Sequence, residues 1–274
     1  MNPLLKTQKI GFLGAGNMAQ AMIKGLVEGG IPARNIYATN RSQFKIQKLV
    51  EQYTINAPLT NEELVEACDI VILAVKPQDL MQALEPITRS FNENTIVISV
   101  AAGIRMDILE KALPLCRLVR VMPNTPSLIG RGVIGYLLNE EDEAVEATME
   151  DLFEPLGRVI KVNDEDQFEA LMVSCSSGTG FVFEMMMYWQ DWIEEHGFSL
   201  EEARLMTIET FVGASLLAAQ AREHVEDLQA RVTSKKGVTA AGLQSMRELE
   251  IERALRISFE KAAMRNKEMA REIK

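Results

Sequence analysis

Gly14, Gly16 and Ala19 stand at the spacing G-x-G-x-x-A, which suits a backbone turn that a pyrophosphate can approach closely. The first glycine permits the turn, the second admits the phosphates to the main chain, and the last small residue lets a helix pack on a strand. Ile10, Phe12 and Leu13 lead in as a short apolar run, and Met22, Ile23, Leu26 and Val27 follow at helical spacing. The stretch from Lys9 to Ala21 therefore reads as strand, tight turn and helix start, with free amides and the positive end of the helix dipole facing an anion. A glycine turn that holds no ligand has the same local pattern, so the elements around it must decide.

A second strand, Asn35 to Thr39, runs into Asn40, Arg41 and Ser42. In a dinucleotide fold an acidic side chain at this point accepts from the ribose hydroxyl of NAD. Here a guanidinium and two small hydrogen-bonding side chains stand instead, which favours NADP over NAD, with NAD still possible. Ile70 to Val75 is an unbroken apolar run, as in a strand covered on both faces of a parallel sheet, and it stops at Lys76 and Pro77. Lys76 reads either as a catalytic group or as a lysine at the cofactor edge. Further strands are expected at Thr95 to Val100, Arg117 to Met122, Val133 to Leu137 and Arg158 to Val162, with helices at 61–67, 78–89, 106–113 and 140–153 between strands. Ala101 and Ala102 leave room for a flat ring, and Pro123 and Pro126 bracket Asn124 in a rigid polar loop. The alternation predicts an α/β domain, a doubly wound parallel sheet of the Rossmann type, over residues 1–163.

From Asp164 onward helical periodicity dominates, predicting an all-α domain over 164–274 with helices at 165–175, 179–196, 200–222, 225–232, 238–248 and 250–274. The helix through Met185, Met186, Met187, Tyr188, Trp189, Trp192 and Ile193 is apolar over most of its circumference, so burial against a second copy of the chain is expected.

Composition bounds the partners. The 274 residues are 47% hydrophobic and 25% charged with a net charge of -10, which disfavours nucleic acid and anionic membrane surfaces. Cys68, Cys116 and Cys175 stand far apart and read as buried reduced thiols of a cytoplasmic protein. MNPLLKTQK lacks the apolar core of a signal peptide, and no uninterrupted apolar run reaches spanning length. No metal-ligand spacing appears, and His196 and His224 read as surface or helix-end residues.

Taken together these segments resemble the pyrroline-5-carboxylate reductases along essentially the whole chain. The residues that carry the resemblance are GFLGAGNMAQAM at Gly11 to Met22, AVKPQ at Ala74 to Gln78, SVAAGI at Ser99 to Ile104, and VMPNTP at Val121 to Pro126. In the helical half they are SGTG at Ser177 to Gly180, VTS at Val232 to Ser234, and Gly237, Thr239, Gly242 and Leu243. The resemblance implies hydride transfer from NADPH, or less often NADH, to a cyclic imine carboxylate, giving proline. It also implies a Rossmann domain followed by a helical dimerisation domain, in homodimers that often assemble as five dimers in a decamer. It places Gly14, Ala15, Gly16, Asn17 and Met18 at the pyrophosphate turn and Asn40, Arg41 and Ser42 at the adenosine phosphate. Ala74, Val75, Lys76, Pro77, Ala101, Ala102 and Asn124 would border the nicotinamide half. The substrate carboxylate would meet Ser234 and the amides of Gly237 and Val238, and the Thr239 hydroxyl the imine nitrogen. Such chemistry requires alignment and a hydroxyl or water on the nitrogen, with neither metal nor covalent nucleophile.

Two segments depart from the family pattern. The usual S-G-S-G-P-A-Y is here Ser177 to Phe183, SGTGFVF, and the usual T-S-P-G-G-T-T is here Thr233 to Thr239, TSKKGVT. If the replaced glycine had a positive φ, Lys236 is strained by about 1 kcal/mol, and Lys235 and Lys236 are either solvated or attract an anionic substrate. The altered loop leaves a different cyclic imine or keto acid, or a catalytically silent NADP-binding paralogue, as alternative readings.

Overall fold

A computed structural model describes Leu5 and residues 7–272, so most of the N-terminal stretch read for a signal peptide, and the last two residues of the final expected helix, lie outside the described residues. The chain forms two compact units, residues 1–177 with 263–274, and residues 178–262.

The first unit is built on seven strands: β1 (Ile10–Leu13), β2 (Ile36–Thr39), β3 (Ile70–Leu73), β4 (Ile96–Ser99), β5 (Arg117–Met122), β6 (Gly132–Leu138) and β7 (Gly157–Lys161). They lie in the order β2-β1-β3-β4-β5-β6-β7. β1 to β5 are parallel, and β1, β3 and β4 are buried at every position, as strands covered on both faces must be. The expectation of a parallel sheet fails at one edge. β6 is antiparallel to β5, and β7 is parallel to β6, so the last two strands run against the first five. Only residues 123–131 join β5 to β6, and a parallel crossover needs about a dozen or more.

The helices of this unit are α1 (Asn17–Glu28), α2 (Gln43–Tyr53), α3 (Asn61–Ala67), α4 (Pro77–Leu84), α5 (Met106–Ala112), α6 (Glu143–Phe153) and α7 (Glu165–Leu171). α2 was not foreseen, since only Ile46 and Leu49 are buried on it and its apolar stripe is narrow. The helix expected at 78–89 begins at Pro77 and breaks at Leu84, where Pro86 lacks an amide and a 3-10 stretch, Glu85–Ser90, takes over. Asp164 caps α7, its carboxylate accepting from the amide of Gln167.

α7 is tied to the sheet by a buried charge. Arg120, in the middle of β5 and 5% exposed, donates to Glu165, and the guanidinium lies 4.1 Å from the centre of the Phe168 ring. The other oxygen of Glu165 accepts from the amide of Met106 at the start of α5, at 2.8 Å. Burial pulls the Arg120 pKa down and the Glu165 carboxylate opposes it. One turn on, Glu169 accepts from Asn266 at 3.2 Å and pairs with Lys267 at 3.0 Å, which holds the end of the C-terminal helix in this unit.

Past α7 the chain makes a π-helical stretch, Met172–Ser177, and continues as α8 (Gly178–Glu195). The second unit contains α8, α9 (Leu200–Gln220), α10 (Val225–Arg231), α11 (Val238–Glu248) and the first half of α12 (Ile251–Glu272). Trp189 meets Phe211 edge to face and Phe181 packs on Phe259, each pair with ring centres 5.5 Å apart. Yet only Gly178 and Ile193 of α8 are buried, while Phe183, Met187, Tyr188, Trp189 and Trp192 are exposed, as are Leu205, Leu216 and Leu217 of α9. By length and composition the helix Glu165–Glu195 is apolar enough to cross a membrane, although Glu184 and Asp191 interrupt it. An apolar area of this extent marks an association surface.

Removing one member of a buried ion pair leaves the other desolvated and unpaired. Glu165→Ala is therefore expected to destabilise the protein by about 3 kcal/mol, read as a lowered urea midpoint at fixed protein concentration, and adding Arg120→Met should recover part of the loss.

Candidate functional site

β2 lies on one side of β1 and β3 on the other, so the chain reverses its direction of travel through the sheet between β1 and β3. Ligands of open α/β sheets bind outside the carboxyl ends of the strands at such a point. Gly14 sits there. Its φ is +106°, its amide donates to the carbonyl of Thr39 at 2.9 Å, and an added Cβ would stand 2.7 Å from the carbonyl oxygen of Ala74. Only glycine fits. At Gly16 the reason differs, since an added Cβ would meet nothing within 4 Å. That glycine borders open space in a cleft of ≈ 210 Å³. It is also the N-cap of α1, which has no side-chain cap and no acidic residue in its first turn. The first amides of α1, at Asn17 and Met18, are thus available to an external anion.

The cleft also has a polar end. Asn40, Arg41, Lys45 and Thr39 line it. Asn40 accepts from the amide of Ala15 at 3.2 Å, bracing the glycine turn. Arg41 is exposed and 3.6 Å from Asp79, the one carboxylate among the lining residues, which leaves Lys45 and Lys76 uncompensated there. Ser42 is the N-cap of α2 without using its side chain, and the first turn of α2 has no acid. The Thr39 hydroxyl is buried with no hydrogen-bond partner, an orphaned donor and acceptor at the cleft wall. These groups fit the phosphates and ribose of NADP. Thr39 and Lys45 add to the expected set: in sequence Thr39 shows only as a strand end, and Lys45 lies on α2, one turn beyond Arg41.

Ala74, Val75 and Lys76 continue the same cleft along the end of β3. Lys76 is extended (φ -62°, ψ 145°) and caps α4, while Pro77 opens that helix, as proline geometry dictates. Ala101 is buried and Ala102 half-buried just past β4, neither lining this cleft. Asn124 is buried, and its side chain is fully engaged: it donates to the carbonyl of Cys175 at 3.1 Å and accepts from the amide of Val133 at 2.9 Å. Ser176 donates to the carbonyl of Pro123 at 3.3 Å. The 123–126 loop is thereby fastened to the π-helical stretch. Of the thiols, Cys68 and Cys116 are buried, with burial pushing them up to about 12 and about 11. Cys175 is half-buried, a correction to the expectation, because it lies in the π-helical stretch and not in the sheet core.

In the second unit the residues expected to meet substrate form one tight feature. The carbonyl of Ser234 accepts from the amide of Gly237 at 3.0 Å, closing a turn whose third residue, Lys236, has φ +60°. Gly237 then caps α11, again without a side-chain cap or an acid in the first turn, and Val238 and Thr239 are its first two residues. Ser234, Val238 and Thr239 are exposed. His224 is the exposed N-cap of α10, and His196 donates from Nδ1 to the carbonyl of Trp192 at 2.7 Å. Neither stands in the turn.

Residues 9–103 match the family model described as NADP oxidoreductase, coenzyme F420-dependent, and residues 165–269 match pyrroline-5-carboxylate reductase dimerisation. The chain is 33% identical over 280 residues to pyrroline-5-carboxylate reductase 1 of Bacillus subtilis, covering 100% of this chain and 93% of the relative. It is 31% identical to the reductase of Pseudomonas aeruginosa, over 98% and 99% of the two chains. Among solved structures, the Coxiella burnetii reductase superposes with a TM-score of 0.90 at 32% identity, over 96% and 98% of the chains. The Plasmodium falciparum enzyme, solved with NADP bound, superposes with a TM-score of 0.86 at 25% identity, over 97% and 99%.

The two glycines separate fold from ligand. Gly14→Ala should lower the thermal midpoint, whereas Gly16→Ala should leave it within about a degree and weaken NADPH binding at least tenfold by filling the phosphate approach. Arg41→Ala should weaken NADPH about tenfold, roughly 1.4 kcal/mol, and leave NADH nearly unchanged, both by fluorescence titration.

Proposed function

The chain belongs to the pyrroline-5-carboxylate reductase family, and from that membership we propose a division of labour in which residues 1–163 hold NADPH and residues 164–274 pair the subunits and bind the imino acid. The activity is that of an oxidoreductase acting on a C=N bond, reducing 1-pyrroline-5-carboxylate to L-proline with NADPH. When bound, the cofactor supplies the hydride. The protein's own work is to place and polarise.

The Gly14–Met18 turn takes the pyrophosphate on the first amides of α1, and Asn40, Arg41 and Ser42, with Lys45, take the adenosine phosphate. Ala74, Val75, Lys76 and Pro77, with Ala101 and Ala102, border the nicotinamide half, and Asn124 holds the 123–126 loop beside it. Ser234 and the amide of Val238, at the uncapped start of α11, bind the substrate carboxylate, while the Gly237 amide, first expected there too, is held in the turn by the Ser234 carbonyl. The Thr239 hydroxyl holds the ring nitrogen, so that the protonated imine presents its carbon for reduction and the nitrogen keeps its proton in the amine product. The observation that carries this reading is the pairing of an uncapped, acid-free helix start at α1 with a cationic cleft and a second uncapped, acid-free start beside Thr239.

Self-association follows from the dimerisation match and from the open apolar faces of α8 and α9. We propose a homodimer as the unit and five dimers as the full assembly, in the cytoplasm, where the three thiols stay reduced. Thr239→Ala is expected to lower kcat about a hundredfold while leaving the NADPH dissociation constant within twofold. Loss of NADPH binding in that variant, or undiminished kcat, overturns the role given to Thr239; absence of turnover with pyrroline-5-carboxylate in the unaltered protein overturns the substrate.

A further inference from the structure

The turn Ser234–Gly237 has a lysine where its geometry asks for glycine. A third turn residue with positive φ is the position that glycine or asparagine occupies at least cost, and Lys236 stands there at φ +60°. Lys235 precedes it, both are exposed, and neither forms an ion pair among the described residues. The pair sits in a chain of net charge -10, one to four residues before the Gly237 and Val238 amides and the Thr239 hydroxyl. Arg231, the nearest cation upstream, is already held by Glu223.

What stands at this strained position in place of glycine is a long apolar stem ending in a charge. Backbone amides at a helix start recognise a carboxylate at short range and in one direction. Ammonium groups act over a Debye length and with little angular demand.

We infer that Lys235 and Lys236 are specificity-determining residues that select substrates by their negative charge, drawing the imino acid to the turn and holding its carboxylate beside the amides of α11. The inference rests on the substrate reading above. It makes the carboxylate, more than the ring, the feature by which this chain chooses among cyclic imines.

The experiment compares 1-pyrroline-5-carboxylate with 1-pyrroline, the same ring without the carboxylate, in steady-state assays with saturating NADPH. For the unaltered protein kcat/KM of the acid should fall as ionic strength rises from about 10 mM to about 0.5 M, and that of 1-pyrroline should not. Lys235→Gln with Lys236→Gln should lower kcat/KM for the acid about tenfold at low salt, with kcat within twofold, and should flatten the salt dependence. Lys235→Glu with Lys236→Glu should lower it further. Lys236→Gly alone should raise the thermal midpoint and lower kcat/KM by a smaller factor, separating strain from charge. Equal kcat/KM for the acid in the unaltered and double-Gln proteins, or an equal loss for both imines, overturns the inference while leaving the reductase reading intact. No turnover of either imine by the unaltered protein overturns both.

Discussion

The first strand and the third approach so closely at their carboxyl ends that only a residue without a side chain can turn between them. That steric limit at Gly14, set against the carbonyl of Ala74, is what the cofactor cleft depends on. It fixes where β1 stops, it aims the start of α1 at the crevice beside β3, and it brings Ala15 within reach of Asn40 from the end of β2. One constraint thus assembles three chain segments around a single anion site, and Gly16, which borders open space, leaves that site unfilled by protein.

Two helix starts in this chain are built by the same device. At α1 and at α11 a helix begins on glycine with its amides uncapped and no carboxylate in the first turn. In a chain with ten more acids than bases, keeping acids away from both places leaves them open to anions. The reductase reaction asks for two anions, a dinucleotide and an amino-acid precursor, and on the reading proposed above these two helix starts would meet them. Buried charge is used differently. Arg120 and Glu165 pair with each other and fasten the first turn of α7 and the first turn of α5 to the sheet, and Phe168 covers the guanidinium.

Much of this was legible in the residues alone, for identifiable reasons. The glycine turn, the unbroken run Ile70 to Leu73 and the proline after Lys76 each have a local cause that acts whatever surrounds them. α2 was harder to read because its apolar stripe is narrow, with only Ile46 and Leu49, one turn apart, buried, and Lys45 was lost with it. The reversed direction of β6 depends on the length of the connection after β5, which apolar patterning does not report. The engagement of Asn124 was hidden as well, since its partners, Cys175 and Val133, are distant in sequence or belong to another element. Lys236 was the reverse case: comparison with the family pattern pointed to a glycine-like conformation, and φ +60° is what the turn adopts.

The rows of Phe183, Met187, Trp189 and Trp192 that face outward within one chain are a property of every copy, whatever the state of its cofactor cleft. Copies damaged only around Gly16 or Arg41 would keep those rows and be taken up into mixed pairs as readily as intact ones. An inactive form made alongside the active one would therefore be found paired with it in proportion to its abundance.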